Sequence, residues 1–391
     1  MYRSKHGLLL AANLFLCATA SAQNWRLGPF TRPVDAPVIR PNADAVFVDP
    51  ISQQPVHWEA LHTFNPAATI APDGDIAVIY RAEDDSGSMS IGGHTSRLGL
   101  ATSRDGLHFI TLPAPVLSMA NDAQKANEYP GGVEDPRVVQ APNGSYVVTY
   151  TQWARDRGTY TIGIATSKDL KHWTKHGPAF DAADNGRYKK LMYKSAAILT
   201  ELHHGRLIAA RLHGLYWMYW GEIQIRLATS TDLIHWTPVL DPATNEPHVL
   251  LAARAGHFDS GFPEAGPPPV LTHDGIVLLY NAKNSNSKDT PAANTLPGDP
   301  AIAPGAYSVG EALFSADDPT KLLARTDQPV FQPERPFERT GQYAAGTTFA
   351  EGLVPFHGQW FLYYGAADSC TAVVELSRKE LLESLHADLA T

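Results

Sequence analysis

The chain has 391 residues, with 31 Lys and Arg against 40 Asp and Glu, 30 Gly, 30 Pro and 2 Cys. Hydrophobic content of 44% with 18% charge suits a globular chain with a large core and excludes disorder, collagen and coiled coil. The net charge of −9 speaks against general nucleic-acid binding, which needs a basic face to neutralise phosphates.

At the N-terminus, Arg3 and Lys5 precede an apolar run over residues 8–18, and Ala20-Ser21-Ala22 follows as a small-residue cleavage site. Residues 1–22 therefore read as a signal peptide, with Gln23 opening a mature chain that is periplasmic or extracellular. The run is too short to span a bilayer, and no later segment reaches ~18 consecutive apolar residues, so no stable membrane insertion is expected. Removing the leader removes Cys17 and leaves Cys370 without a disulfide partner, expected as a small buried hydrophobe. No metal ligands are read: neither a Cys/His zinc spacing nor an EF-hand-type loop is present, and no cofactor is expected.

The rest of the chain repeats. Ala101-Thr102-Ser103-Arg104-Asp105, Ala165-Thr166-Ser167-Lys168-Asp169 and Ala228-Thr229-Ser230-Thr231-Asp232 each run on to His108-Phe109, His172-Trp173 and His235-Trp236. A weaker copy sits at Ser315-Ala316-Asp317. Before each comes a short apolar strand, a Gly turn and a second strand rich in aromatics. These units turn at Gly74, Gly144, Gly205, Gly275 and Gly358, the third running from Ser195 to Arg211. Short β-branched and aromatic segments bounded by Gly, Asp and Asn are strands, and self-similarity at such a period marks a repeat architecture. The expected fold is all-β: a single domain over residues 23–391 forming a five-bladed β-propeller. Only residues 378–389 look helical, giving a short C-terminal helix, and residues 283–304 read as a long rim loop.

In a propeller the inner strands start at one mouth of the central channel. Equivalent positions hold Asn65, Asp135, Lys194, Glu264 and Glu351. Three carboxylates, an amide and an ammonium at one small mouth are costly to desolvate and persist mainly where perturbed acids and bases are useful. Paired carboxylates are what glycoside cleavage needs: one protonates the leaving oxygen while the other activates water or attacks the anomeric carbon. Trp58, Trp153, Trp217, Trp220, Tyr216 and Tyr219 are candidates for stacking on sugars or for blade packing. Burial and carboxylate neighbours are expected to raise Asp135 and keep it protonated at rest.

These residues carry a resemblance to glycoside hydrolase family 130, the β-mannoside phosphorylases and β-mannosidases. It rests on Phe64-Asn65-Pro66-Ala67, Tyr80-Arg81-Ala82-Glu83-Asp84, Gly132-Val133-Glu134-Asp135-Pro136-Arg137, Lys194-Ser195, Glu264-Ala265-Gly266-Pro267-Pro268-Pro269 and Tyr363-Tyr364-Gly365-Ala366-Ala367-Asp368. The resemblance implies a five-bladed propeller, inversion at the anomeric carbon, Asp135 as general acid, and a mannose subsite lined by Asn65, Arg81, Lys194 and Asp368. Arg137 and Tyr364, in the same motifs, join the substrate-binding candidates. The segments 216–222 and 259–264 resemble the hydrolase branch, which makes Glu222 and Glu264 the candidate water-activating bases. The expectation is an exported inverting β-mannosidase acting on oligosaccharides, β-1,2-linked ones among them. The alternatives are a phosphorylase releasing mannose 1-phosphate, for which Arg211, His213 and Lys194 are clamp candidates, and a non-catalytic sugar-binding propeller.

Overall fold

The computed structural model describes residues 25–87, 92–285 and 296–376. The leader, the helix expected at 378–389 and parts of two rim loops lie outside the described residues.

Within them the chain is a five-bladed β-propeller. Blade 1 comprises His62–Ile70, Ile76–Gly87, His94–Ser103 and Ile110–Thr111. Blade 2 comprises Gly132–Gln140, Tyr146–Ala154, Thr159–Ser167 and Trp173–Pro178. The neighbouring strands of each pair antiparallel in sequence order. In blade 4 the inner strand is split into Phe262–Ala265 and Val270–Thr272, because the intervening Pro267, Pro268 and Pro269 cannot donate to a ladder. Gly275–Lys283, Tyr307–Phe314 and Leu322–Arg325 complete that blade. Blade 5 has Thr348–Phe356, Gln359–Ala366 and Cys370–Leu376, and its outer strand is Phe30–Thr31 from the start of the described chain. Phe30 pairs with Leu376 and Thr31 with Glu375, so segments near both ends of the described chain share one sheet and close the ring. That closure was not read in the sequence.

Blade 3 departs from the expected repeat. The segment turning at Gly205 is a small hairpin, Thr200–His203 with Arg206–Ala209, which reaches sideways to pair with Val270 of blade 4 and Gln140 of blade 2. The blade's own strands are Ala196–Ile198, Leu215–Trp220 and Ile225–Ser230, with Thr237–Pro238 outside. The turn that matters is at His213 and Gly214, both at positive φ.

Strand pleating holds the ring together. Successive side chains point to opposite faces, so Ile76, Val78 and Tyr80 pack with Val354, Phe361 and Tyr363 of blade 5. Ala77 and Ile79, between them in sequence, pack instead with Val133, Val138 and Val148 of blade 2. Three more clusters fill the junctions of blades 2 and 3, 3 and 4, and 4 and 5. Strands buried on both faces explain why these segments read as continuous apolar runs. Cys370 belongs to the last of those clusters, as expected.

The repeated Ser-x-Asp turns are self-satisfied corners. In each, the Ser hydroxyl accepts backbone N–H groups, and one Asp oxygen accepts two more while the other meets the His ring at 2.7–2.8 Å. The indoles of Trp173 and Trp236 donate to the carbonyls of Leu170 and Leu233. In the weaker copy it is Asp318, one residue later than expected, that follows this pattern from Ser315.

Candidate active site

Where the inner strands reach the axial mouth, their pairing breaks. Register shifts lie between Phe64 and Pro66, between Glu134 and Arg137, and between Ala350 and Gly352. The extra residues are Asn65 and Asp135, both at positive φ (47° and 49°), and Glu351. A bulge leaves its residue unpaired and re-aims the side chain, and Asn and Asp are the residue types that best tolerate this backbone. In blade 3 the positive φ falls on Ser195 (59°), one residue after Lys194.

These devices open a cavity of about 230 Å³ lined by Asn65, Arg81, Glu83, Glu134, Asp135, Lys194, Glu222, Glu264 and Asp368, with Phe64, Tyr307, Tyr343 and Phe349 as its aromatic walls. That is below the ~300–1,000 Å³ of clefts for drug-sized ligands and fits a single sugar ring. All three proposed catalytic carboxylates, distant in sequence, face it together. Lys194 Nζ lies 4.0 Å from Asp135 Oδ2, 3.6 Å from Glu222 Oε1 and 3.7 Å from Glu264 Oε1. No two of these oxygens are therefore farther apart than twice the longest contact, a bound compatible with the ~6.5–9.5 Å of an inverting pair.

Arg81 is the second hub. Its Nη1 donates to Asp135 Oδ1 at 3.0 Å, and Nη2 donates to Glu83 Oε1 at 2.6 Å and Glu134 Oε1 at 2.9 Å. The guanidinium lies over the Phe64 ring, 4.7 Å from its centroid. Asn65 Nδ2 donates to Asp135 Oδ1 at 2.8 Å, while Asn65 Oδ1 is buried with no protein partner. A Cβ on Gly365 would stand 2.3 Å from that Oδ1, so only Gly fits beside Asn65. Gly132, at φ 103°, is similarly required, since a Cβ there would lie 2.0 Å from the Ser96 carbonyl oxygen.

The charge states differ from expectation at one point. Burial pulls Asp135 up, but Arg81, Lys194 and the Asn65 hydrogen bond outweigh it and hold the carboxyl well below its usual range. Asp135 is thus ionised in the free site, not protonated at rest, because two cations reach it. Glu134 beside it is pushed up to about 7, chiefly by burial, against Arg81. Glu264 also rises to about 7 through burial and the Glu222 charge, despite Lys194 and a hydrogen bond from the Ser195 hydroxyl. Asp368 reaches about 7 through burial and the nearby Asp135. Lys194 is held well above its ordinary value because the attraction of Glu264, Glu222 and Asp135 exceeds its burial penalty.

Other expectations need correction. Arg137 lies under the floor, where its guanidinium donates to the carbonyls of Asp135, Ala265 and Gly266 and pairs with Glu351 at 2.9 Å. It supports the bulge and does not line the cavity; nor does Glu351. Tyr364 is buried between blades 4 and 5, donating its hydroxyl to Glu338 Oε1 at 2.6 Å, because its strand position points away from the axis. The aromatics offered for stacking do not line the cavity either: Trp58, Tyr216, Tyr219 and Trp220 fill blade junctions. Trp153 donates to the carbonyl of Gly92 on the cavity edge. Arg211 and His213 are exposed on another face, bonded to carbonyls of Gly214, Thr231 and Asp317. Sequence reading missed Glu83, Glu134, Tyr307, Gln342 and Tyr343 as cavity residues. Glu83 and Glu134 were visible inside the quoted motifs; the others sit in segments without a repeat signal.

The carboxylates that line the axial cavity of this five-bladed propeller can supply the paired acid and base that glycoside cleavage needs. The chain matches glycoside hydrolase family 130, described as beta-1,4-mannooligosaccharide phosphorylase, over residues 37–387, and it belongs to that family, whose members are enzymes acting on mannosides. A 1,2-beta-oligomannan phosphorylase from Thermoanaerobacter sp. (strain X514) is 30% identical over 351 residues, covering 89% of this chain and 97% of its own. The crystal structure of a glycosyl hydrolase from Bacteroides ovatus is 46% identical with a TM-score of 0.84, covering 90% of this chain and 94% of the other. A third relative, 47% identical with a TM-score of 0.85 and coverage of 90% and 94%, comes from work stating that the family of mannoside phosphorylases contains glycoside hydrolases that target β-1,2 mannosidic linkages in Candida mannan.

Proposed function

We propose that this protein hydrolyses β-mannosides, β-1,2-linked ones among them, with inversion at the anomeric carbon. The observation that carries the reading is the cavity's charge. Among the described residues, Glu83, Glu134, Asp135, Glu222, Glu264 and Asp368 line it against only two cations, Arg81 and Lys194, both already engaged by carboxylates. A dianionic phosphate entering there meets a surplus of like charge, whereas water does not. The 46% identical structure described as a glycosyl hydrolase, and the 47% identical one from work describing glycoside hydrolases within the family, support the same choice.

Glu264, with a pKa near neutrality, is suited to take a proton from water. Glu222 keeps it raised and orients the attack through their common Lys194. On the opposite side, Asp135 is ionised in the free site, and Glu134 beside it, pushed up to about 7, is the group that holds a proton near neutral pH. For turnover Asp135 takes up a proton as the sugar enters, and it delivers that proton to the departing oxygen as the C1–O bond breaks and the water oxygen bonds to C1. The water's proton is left on Glu264. Export, read from residues 1–22 alone, belongs to this proposal too.

Phosphorolysis is the second reading. The family description and the curated relative both carry the name phosphorylase, and those names favour it over hydrolysis. Incubation with β-1,2-mannobiose separates the two. Free mannose in phosphate-free buffer, unaccelerated by added phosphate, is the expected result. Mannose 1-phosphate formed only when phosphate is present would establish phosphorolysis instead.

A further inference from the structure

We propose that blade 1 carries a binding site for one divalent first-row transition-metal ion, with His62, Glu83 and His94 as its protein ligands. The three residues are 21 and 11 positions apart, a spacing no sequence motif marks. Strand register brings them together. His62 is the direct cross-strand partner of Glu83, and Glu83 is the partner of Ser96 on the next strand. His94 is two residues from Ser96 and so shares its face. Three adjacent strands thus present two imidazoles and a carboxylate as one patch.

One ring nitrogen from each His and one Glu83 oxygen all lie within 4.8 Å of one another. The two rings meet edge to face, their centroids 5.5 Å apart. His94 is 3% exposed and Glu83 fully buried, yet Nδ1 of both His62 and His94 is buried without a hydrogen-bond partner. Buried polar atoms are ordinarily satisfied, and two orphaned imidazole nitrogens beside one carboxylate point to a missing cation. Two His and one carboxylate form a zinc-type donor set that leaves a position open, whereas Mg²⁺ and Ca²⁺ prefer oxygen alone. His62 and His94 each open their strand, so both rings can close to bonding distance without disturbing the ladder.

Glu83 ties this patch to the cavity. The same carboxylate accepts Arg81 Nη2 at 2.6 Å and Gln342 Nε2 at 3.0 Å. Arg81 opposes a cation there, but it is shared with Glu134 and Asp135, and the surrounding acids leave room for added positive charge. A bound ion would hold Glu83 in place and so position Arg81 against Asp135.

Tag-free full-length protein, stripped by a chelator and dialysed, is titrated with ZnCl₂ by calorimetry and with CoCl₂ by visible absorption. Saturable binding of one Zn²⁺ per chain in the micromolar range or tighter is expected, with Co²⁺ ligand-field bands. His62→Gln and His94→Gln should each weaken binding by about tenfold or more, while replacement of the adjacent pair His203 and His204 by Gln leaves it unchanged. Thermal melts of each variant under chelator separate loss of the site from loss of the fold. His62, less buried than His94 and at the start of its strand, is the variant that keeps the fold if His94→Gln does not. The proposal is overturned by no saturable binding in the wild type, by binding that survives His62→Gln undiminished, or by loss that follows His203 and His204.

Discussion

Two hollows among the described residues contrast in size and in chemistry. The larger, about 780 Å³, lies between blades 2 and 3 and is lined by Lys168, Asp169, His172, Arg211 and Asp232. Every one of its acids is hydrogen-bonded within its own turn: Asp169 and Asp232 each accept backbone N–H groups and meet a His ring. The axial cavity has less than a third of that volume, yet its charges are mostly buried and shared, Arg81 serving Glu83, Glu134 and Asp135 while Lys194 serves Asp135, Glu222 and Glu264. Room alone does not make a site. Charges held out of water and incompletely balanced do, because their protonation responds to what enters.

Substitutions sharpen that contrast. The largest effect is expected at Asp135→Asn, which keeps the shape and its hydrogen bond to Asn65 but cannot transfer a proton: kcat should fall ~10³-fold or more, with sugar binding retained by calorimetry. Glu264→Gln should lower kcat by ~10²–10⁴-fold. Because the base must be ionised, wild-type kcat should decline as pH drops through about 7, a limb that the Gln variant lacks.

Stability carries the opposite sign. Burial raises the folded-state pKa of Glu264 above its ordinary 4.5, so its contribution is intact below that value and is lost as pH rises through about 7. Glu264→Gln should therefore gain a few °C in Tm over wild type at about pH 8, a gain that disappears near pH 4.5. A smaller effect follows from Gly365→Ala, whose Cβ must displace Asn65: KM should rise several-fold with the fold intact. Asp169→Ala, in the larger hollow, is expected to cost about 1 kcal/mol by uncapping its turn and to leave kcat within about twofold. A large activity loss there would break the distinction between the hollows.

Much of this was legible in the sequence because it is local. The Ser-x-Asp-x-x-His corners, the Gly turns and the two-sided apolar strands each declare themselves within ten residues, and five of them count the blades. Blade 3 misled for the same reason: Gly205 makes a genuine hairpin, but where a hairpin docks is decided by the neighbours it meets. Asn65, Asp135, Lys194 and Glu264 could be gathered because equivalent inner-strand positions share an axis, although Glu351, gathered the same way, pairs with Arg137 outside the cavity; Arg81, Glu222 and Asp368 came from the family resemblance. Arg137 and Tyr364 could not be separated from them, since one step along a strand reverses the direction of a side chain.

What the sequence by itself determined is the repeat, the ring it implies and the acids at its mouth, all consequences of short-range patterning. Only the tertiary structure decided that Asp135 is ionised, that Glu134 and Glu83 belong to the cavity, and that His62, Glu83 and His94 meet. Those outcomes depend on which charges lie within a few ångströms after burial, and both register and electrostatic balance are set by residues far apart in the chain.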